Sequence, residues 1–403
     1  MSRADVALIS PYPSHRQRAL ASGVASYARS LAHALADAGA SVTVLAPEES
    51  EGEEAVADGP VRIERCFRLG PGALLAAQHS ARATRAPVVH LQHELFLYGG
   101  VSAVPGMLAA LPRAKAANQA TVVTMHQVVD PSTVDSAFTR LHRVRVPPAV
   151  ARTGISVVQR AVQRLADAVI VHETAFRRIV PRATTVPHGL EVVQPPDKAK
   201  ARVELGLTDR FTVLCFGFLA PYKGLELACE AAEIVSRRMG AIQLVIAGGE
   251  HPRLAGRDPY AASLRSRFHS SALFTGFVAQ HHVPLWFAAA DLALFPYPQP
   301  HATSGALALA LAFGTPFLLS KALADLTGAP QVLAASSDAH ELAAQLQQLA
   351  SSSSAREGLA VRCASLAAGR SWPTVAGRHL EIYEEVLHAN RASGRSFWAT
   401  QSR

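Results

Sequence analysis

Short apolar stretches alternate with amphipathic ones from one end of this sequence to the other. That rhythm confines the chain to parallel sheets covered by helices on both faces, because only buried strands read as near-continuous Val, Ile and Leu. Strands are expected at 6–10 (VALIS), 41–46, 61–66, 87–92, 120–125, 168–172 and 184–188, which together make a first domain over 1–190. Two prolines and mixed charge in EVVQPPDKAKA, 191–201, then break the rhythm and read as a linker. A second set follows at 211–217, 242–248, 272–278, 292–297, 316–320 and 331–335, within a domain over 202–370, with helices at 225–238, 283–290, 305–313 and 339–350 among them. The closing run WPTVAGRHLEIYEEVLHANR, inside 371–403, is long enough to pack across both domains. At 403 residues one ordinary core is not enough, and two doubly wound α/β domains in tandem are the expected fold class.

Hydrophobic residues at 49% and charged residues at 17% describe a globular chain. No apolar run reaches the about 18 residues needed to cross a bilayer. The start, MSRADVALISPYPS, reads as a first strand and not as a signal peptide, so a cytoplasmic location is expected. Cys66, Cys215, Cys229 and Cys363 lie far apart with no C-x-x-C pair, the pattern of reduced thiols. A formal charge of +8 favours acidic partners: nucleotides, phosphorylated substrates or an anionic membrane face. Six arginines stand between Arg140 and Arg164 with no acid among them, which fits a solvated helix face and a surface for an anionic acceptor or lipid equally. No helix-turn-helix, zinc-finger or aromatic RNA-binding signature surrounds them, so nucleic acid is not expected.

Open parallel sheets bind ligands at the carboxyl ends of their strands, and the residues there form a short list. After the first strand, Ser22 and Gly23 precede a helical run; an anion site at the helix start and a plain N-cap both fit. Gln92, His93 and Glu94 follow the fourth strand and His126 the fifth, polar groups suited to bonding hydroxyls. In the second domain Lys223 stands at the mouth of the first strand, a compact charge for a phosphate. Gly248, Gly249 and His251 follow the second strand, where glycine lets backbone approach a ligand. Thr303 or Ser304 reads as an N-cap, with Gly305 in the first turn and free amides beyond. Lys223 and this helix start, each after a strand of one sheet, are placed to share a diphosphate. No metal-ligand cluster accompanies them, so protein groups are expected to neutralise the charge.

The stretches SGVASYARSLAHALADAGASVTVLAP, VTMHQVV, FLAPYKGLELACEA, LVIAGG, FTGFV, VPLWFAAADLALFPY and TSGALALALAFGTPFLLS, in this order, resemble retaining nucleotide-sugar glycosyltransferases of the GT-B fold, family 4 type. The resemblance covers essentially the whole chain. It implies two tandem Rossmann-like domains, a donor bound mainly by the second, an acceptor bound mainly by the first, and no catalytic metal or separate cofactor. By the same resemblance Gly23 faces the donor phosphate, His126 contacts the donor sugar, Lys223 meets the diphosphate, and Val278 lies near the nucleobase through its backbone.

Three positions depart from the family pattern. Phe218 stands where an arginine is usual, and His301 and Leu309 where two glutamates are usual. Leucine cannot accept the hydrogen bond by which the second glutamate holds the ribose. The sequence resembles more a subgroup of that family that reads TSG before a small-residue helix and QHE after a first-domain strand, in which the glutamate pair is also altered. The expected function is metal-independent transfer of a hexose, mannose or glucose type, from a nucleoside diphosphate sugar to a hydroxyl on a glycan, lipid or small molecule. His126, Lys223, Glu94 and His301 are the candidate catalytic residues; Gly23, Gly249, His251, Val278, Thr303, Ser304 and Gly305 are the candidate donor-binding ones. For His301 a site role and an unpartnered loop position fit equally. A nucleotide-sugar binding subunit without transfer activity is the alternative, and an epimerase acting on the donor sugar is a third.

Overall fold

The computed structural model describes residues 5–13, 23–49, 56–95, 97–141, 144–191, 193–239, 242–250, 259–298, 304–329 and 333–393. Contacts divide the chain into two compact units, Met1–Gly189 with Trp372–Arg403, and Leu190–Ser371. Each is a doubly wound α/β sheet, as the strand and helix rhythm predicts.

The first unit carries β1 (Asp5–Ile9), β2 (Ser41–Pro47), β3 (Val56–Asp58), β4 (Val61–Phe67), β5 (Val88–His93), β6 (Ala120–Met125), β7 (Ala168–Val171) and β8 (Thr184–Thr185). Their order is β3-β4-β2-β1-β5-β6-β7-β8, parallel throughout except for the β3 and β4 pair. The sequence reading lacks β3. Its signal was present in Asp58-Gly59, since Asp58 pairs with Val61 and Gly59 takes the positive φ of 58° that a two-residue hairpin turn needs. Strands β5 and β6 are buried at every position, because helices cover both faces. On one face Tyr27, Leu31 and Leu35 of the Gly23–Asp37 helix and Val375, Ile382 and Tyr383 of the Trp372–Ala392 helix pack on Val6, Leu8, Val44, Val88, Val122 and Ile170. Each such buried Leu, Val or Ile contributes about 1.5–3 kcal/mol. A Cβ on Gly189 would overlap the ring of Trp372, so the chain leaves this unit flat against the residue at which it returns.

The second unit carries β9 (Phe211–Phe216), β10 (Ile242–Ala247), β11 (Ala272–Gly276), β12 (Leu292–Phe295), β13 (Phe317–Ser320) and β14 (Ala334–Ala335), ordered β11-β10-β9-β12-β13-β14 and all parallel. Residues 198–201, read as linker, open the Lys198–Glu204 helix, because the Asp197 side chain caps it by accepting from the Lys200 amide. Arg202 and Lys198 then pair with Asp291.

Each sheet has one place where strand order reverses: between β1 and β5 in the first unit, and between β9 and β12 in the second. Connections diverge there to opposite faces and leave a crevice at the carboxyl ends. Among the described residues no helix is long and apolar enough to cross a membrane.

Candidate active site

In the second unit the reversal point gathers Lys223, several glycines and the start of a helix. Lys223 follows β9 and ends the short turn Pro221–Lys223; Gly224 then takes φ 61°. A side chain on Gly224 would strike the carbonyl oxygen of Pro296, so the turn bearing Lys223 lies directly against the segment that leaves β12. That segment leads to Ser304, and the two loops of adjacent strands meet.

Lys223 is buried, and its Nζ donates to the Phe216 carbonyl oxygen at 3.1 Å. Burial holds its pKa down to about 8. Its ammonium stands 5.9 Å from the ring centroid of Tyr297, whose hydroxyl is 3.3 Å from Ser304 Oγ. Ser304 is the N-cap of the Gly305–Ala312 helix, its Oγ accepting from the Leu307 amide at 3.2 Å. The amides of Gly305 and Ala306 point out of the first turn without helical partners, a donor pair for an anion.

Glycines open the neighbouring strand ends. Gly217 after β9, Gly248 after β10 and Gly276 at the end of β11 all have positive φ, at 109°, 156° and 71°. A Cβ on Gly248 would overlap the Gly217 carbonyl, and one on Gly249 would stand 3.0 Å from the Phe277 amide nitrogen. The Gly249 carbonyl oxygen accepts from Leu219 at 2.9 Å. Side-chain-free backbone at three adjacent strand ends, beside a buried ammonium, suits a polyanionic ligand held close to the chain.

In the first unit His126 follows β6 and is buried, but its ring is fully engaged. Nε2 lies 2.8 Å from Gln92 Oε1 and Nδ1 lies 3.1 Å from His172 Nε2. Burial first, then repulsion from His172 and other histidines, holds its pKa well below the ordinary value. Tyr27 packs its ring on His126, His172 and His188, with centroids 4.7, 5.0 and 4.9 Å away. His93, at the end of β5, is buried with both ring nitrogens unpartnered among the described residues, and burial lowers its pKa to about 4. Glu94 is half-buried one residue on.

Gly23 is the first residue of its helix, exposed, with open space where a Cβ would go. Gly305 is exposed with the same open space. Val278 is half-buried and packs on the core of the second unit. His251, His301 and Thr303 lie outside the described residues. At the positions of altered chemistry, Phe218 is half-buried and Leu309 packs against the second core. Sequence reasoning missed Gly217, Gly276, Tyr297, His90 and His172. A glycine one step past a strand was the available signal for Gly217; nothing in the sequence marks Tyr297, which is set apart by its neighbours in space.

Two family models match the chain. Residues 22–196 match the "Glycosyl transferase 4-like domain" and residues 210–352 match "Glycosyl transferases group 1". The sucrose-phosphate synthase of Thermosynechococcus elongatus shares the fold, with a TM-score of 0.73 and 20% identity over 96% of this chain and 100% of that one. The chain has the fold and the domains of a GT-B glycosyltransferase. The Anabaena protein HepE in complex with UDP and glucose superposes with a TM-score of 0.65 at 17% identity, over 95% of this chain and 100% of that one. A curated relative, the GDP-mannose-dependent alpha-(1-6)-phosphatidylinositol monomannoside mannosyltransferase of Mycobacterium tuberculosis, is 33% identical over 107 residues, 25% of this chain. The chain spans about a quarter of that relative's length, 26%.

Proposed function

We propose that this GT-B chain is a retaining, metal-independent glycosyltransferase that moves a hexose of the mannose or glucose type from a nucleoside diphosphate sugar to a hydroxyl. The observation that carries the reading is that, at the reversal point of the second sheet, the turn bearing Lys223 lies against Pro296 through Gly224, while the Lys223 ammonium stands 5.9 Å from the ring of Tyr297, whose hydroxyl is 3.3 Å from Ser304 Oγ at the helix start. A diphosphate leaving group needs its charge met as the sugar departs, and a preorganised ammonium with helix amides does this. The bond from the anomeric carbon to the diphosphate oxygen breaks, the acceptor oxygen bonds to the same face of that carbon, and the acceptor's proton passes to the departing diphosphate. His126, with His93 or Glu94, orients sugar hydroxyls in this scheme. The UDP and glucose held by HepE and the GDP-mannose named for the mycobacterial relative support a hexose donor.

Charge supports an acidic or lipid-borne acceptor. Residues 95–182 hold eleven Lys and Arg against four Asp and Glu, so +7 of the formal +8 resides there. The arginine-rich stretch forms the Pro148–Leu165 helix, with Arg145, Arg152, Arg160 and Arg164 exposed beside exposed Val146, Val150 and Val157.

Titration calorimetry against nucleoside diphosphates, then turnover of the donor that binds, tests the reading. Lys223→Ala is expected to weaken diphosphate binding by about 1–3 kcal/mol, and unchanged affinity would remove Lys223 from the site. The second reading, binding without transfer, is favoured by Leu309, whose apolar packing leaves no carboxylate for the ribose. Tight binding with no nucleotide released from any donor and acceptor pair would select it.

A further inference from the structure

A hydrogen-bond chain runs through the first unit on the sheet face beneath the Gly23–Asp37 and Trp372–Ala392 helices. Tyr383 OH lies 2.7 Å from His90 Nδ1, and His90 Nε2 lies 2.7 Å from Thr124 Oγ1 and 3.1 Å from Gln92 Nε2. The other end of that amide, Oε1, is 2.8 Å from His126 Nε2; His126 Nδ1 is 3.1 Å from His172 Nε2, and His172 Nδ1 is 3.0 Å from the Val186 carbonyl oxygen. The strand period of two places positions 90 and 92, 124 and 126, and 172 on one face, and all of these side chains are buried.

The chain has a direction, fixed at its far end. A carbonyl oxygen only accepts, so His172 carries its proton on Nδ1. A neutral imidazole has one ring proton, which leaves His172 Nε2 bare and puts the proton of His126 on Nδ1. His126 Nε2 is then bare and needs a donor. The two ends of an amide share one shape, and the network assigns them. With NH2 turned to His126, Gln92 offers its oxygen to His90 Nε2–H, and His90 Nδ1 accepts from Tyr383. That arrangement keeps all three imidazoles neutral, with the one His90 Nε2–H shared between the Gln92 oxygen and Thr124 Oγ1; the reverse amide orientation demands an extra proton shared by His126 and His172. A buried cation there faces Gln92, Tyr27 and further histidines, and desolvation disfavours it.

We infer that Gln92 sets the tautomer of His126, so that a substrate hydroxyl meeting this ring donates to Nε2 in place of the amide. Gln92, His172 and, through His90, Tyr383 are positioning residues for His126. The role of that contact rests on the transfer reading above; the tautomer does not.

Long-range proton–nitrogen NMR on the histidine-labelled full chain near pH 7.5, with His126 assigned from a His126→Gln sample, tests the inference. The expected spectrum shows His126 protonated on Nδ1 and bare on Nε2. Gln92→Glu replaces a donor with a group that only accepts, and is expected to draw a proton onto Nε2; Gln92→Leu leaves the Nδ1 proton held by His172. Turnover is expected to fall at least tenfold further in Gln92→Glu than in Gln92→Leu, with nucleoside diphosphate affinity within twofold of wild type in both. Wild-type His126 protonated on Nε2, or Gln92→Glu with an unchanged tautomer, overturns the inference. Should Gln92→Glu fail to fold, the wild-type spectrum decides alone. Absence of turnover in the wild type would remove the transfer reading while leaving the tautomer decided by the spectra.

Discussion

The space that a Cβ would occupy on Gly217 is filled by the Nζ of Lys223. With φ at 109°, Gly217 also holds a conformation that L side chains rarely adopt. Gly217→Ala therefore has two costs, backbone strain of about 1–3 kcal/mol and displacement of the ammonium. Urea unfolding is expected to show the first, and a tenfold or greater loss of nucleoside diphosphate affinity the second. Lost stability with intact affinity would separate Lys223 from the phosphate site.

Lys223 also makes binding depend on pH. Burial lowers its pKa from 10.5 to about 8, so above pH 8 the free protein holds it neutral and diphosphate binding must return the proton. Affinity is expected to fall about tenfold per pH unit between roughly pH 8 and 10, and calorimetry in buffers of different ionisation enthalpy should show proton uptake. The sign for folding is opposite. Between about pH 8 and 10.5 the unfolded chain binds the proton and the folded chain does not, so this lysine's contribution to stability rises with pH across that window. Lys223→Met should abolish both dependences; a binding profile that stays flat from pH 7 to 10 in the wild type would refute the assignment.

The fold was legible because its signals are local. Buried strands such as Ala120–Met125 announce themselves by composition, and Ser304 and Gly305 mark a helix start by cap chemistry alone. Much of the site was not, because it depends on neighbours distant in sequence. Tyr383 lies 293 residues from the His90 it bonds, and His172 lies 46 from His126. Period-two patterning shows that positions 90 and 92 share a face, but not that the C-terminal helix brings a hydroxyl to it. Leu309 illustrates the opposite case: its sequence shows the missing carboxylate, and only packing shows that the position has joined the core.

The buried histidines of the first unit predict acid sensitivity. Burial lowers the pKa of His93 and of His379 to about 4, and holds His90 and His126 well below 6.5. Below pH 6.5 the unfolded chain takes up protons that the folded chain refuses, so stability falls as pH drops from 6.5 toward 4. For His379 alone the loss at pH 4 is on the order of 3 kcal/mol. His379→Gln should flatten the urea midpoint between pH 7 and 5 relative to wild type. Equal slopes in the two proteins would show that His379 is charged in the folded state.

The basic side of the first unit predicts where an acidic surface docks. On the Pro148–Leu165 helix Val150, Val157, Arg160 and Arg164 recur at helical spacing on the exposed face, and Arg145 stands just ahead of it. Each arginine near an anionic lipid surface is worth about 1 kcal/mol, so reversing three charges in Arg145→Glu, Arg160→Glu and Arg164→Glu together should lower partitioning onto vesicles rich in phosphatidylglycerol by more than a hundredfold. Salt at several hundred millimolar should have a similar effect on the wild type, since exposed charges are screened within about 8 Å at physiological ionic strength. Nucleoside diphosphate affinity should stay unchanged, as these residues belong to the first unit and Lys223 to the second. Sedimentation of the wild type with neutral phosphatidylcholine vesicles as strongly as with anionic ones would rule out a charge-directed surface, because three exposed valines without charge offer too little apolar area to hold the chain on a bilayer.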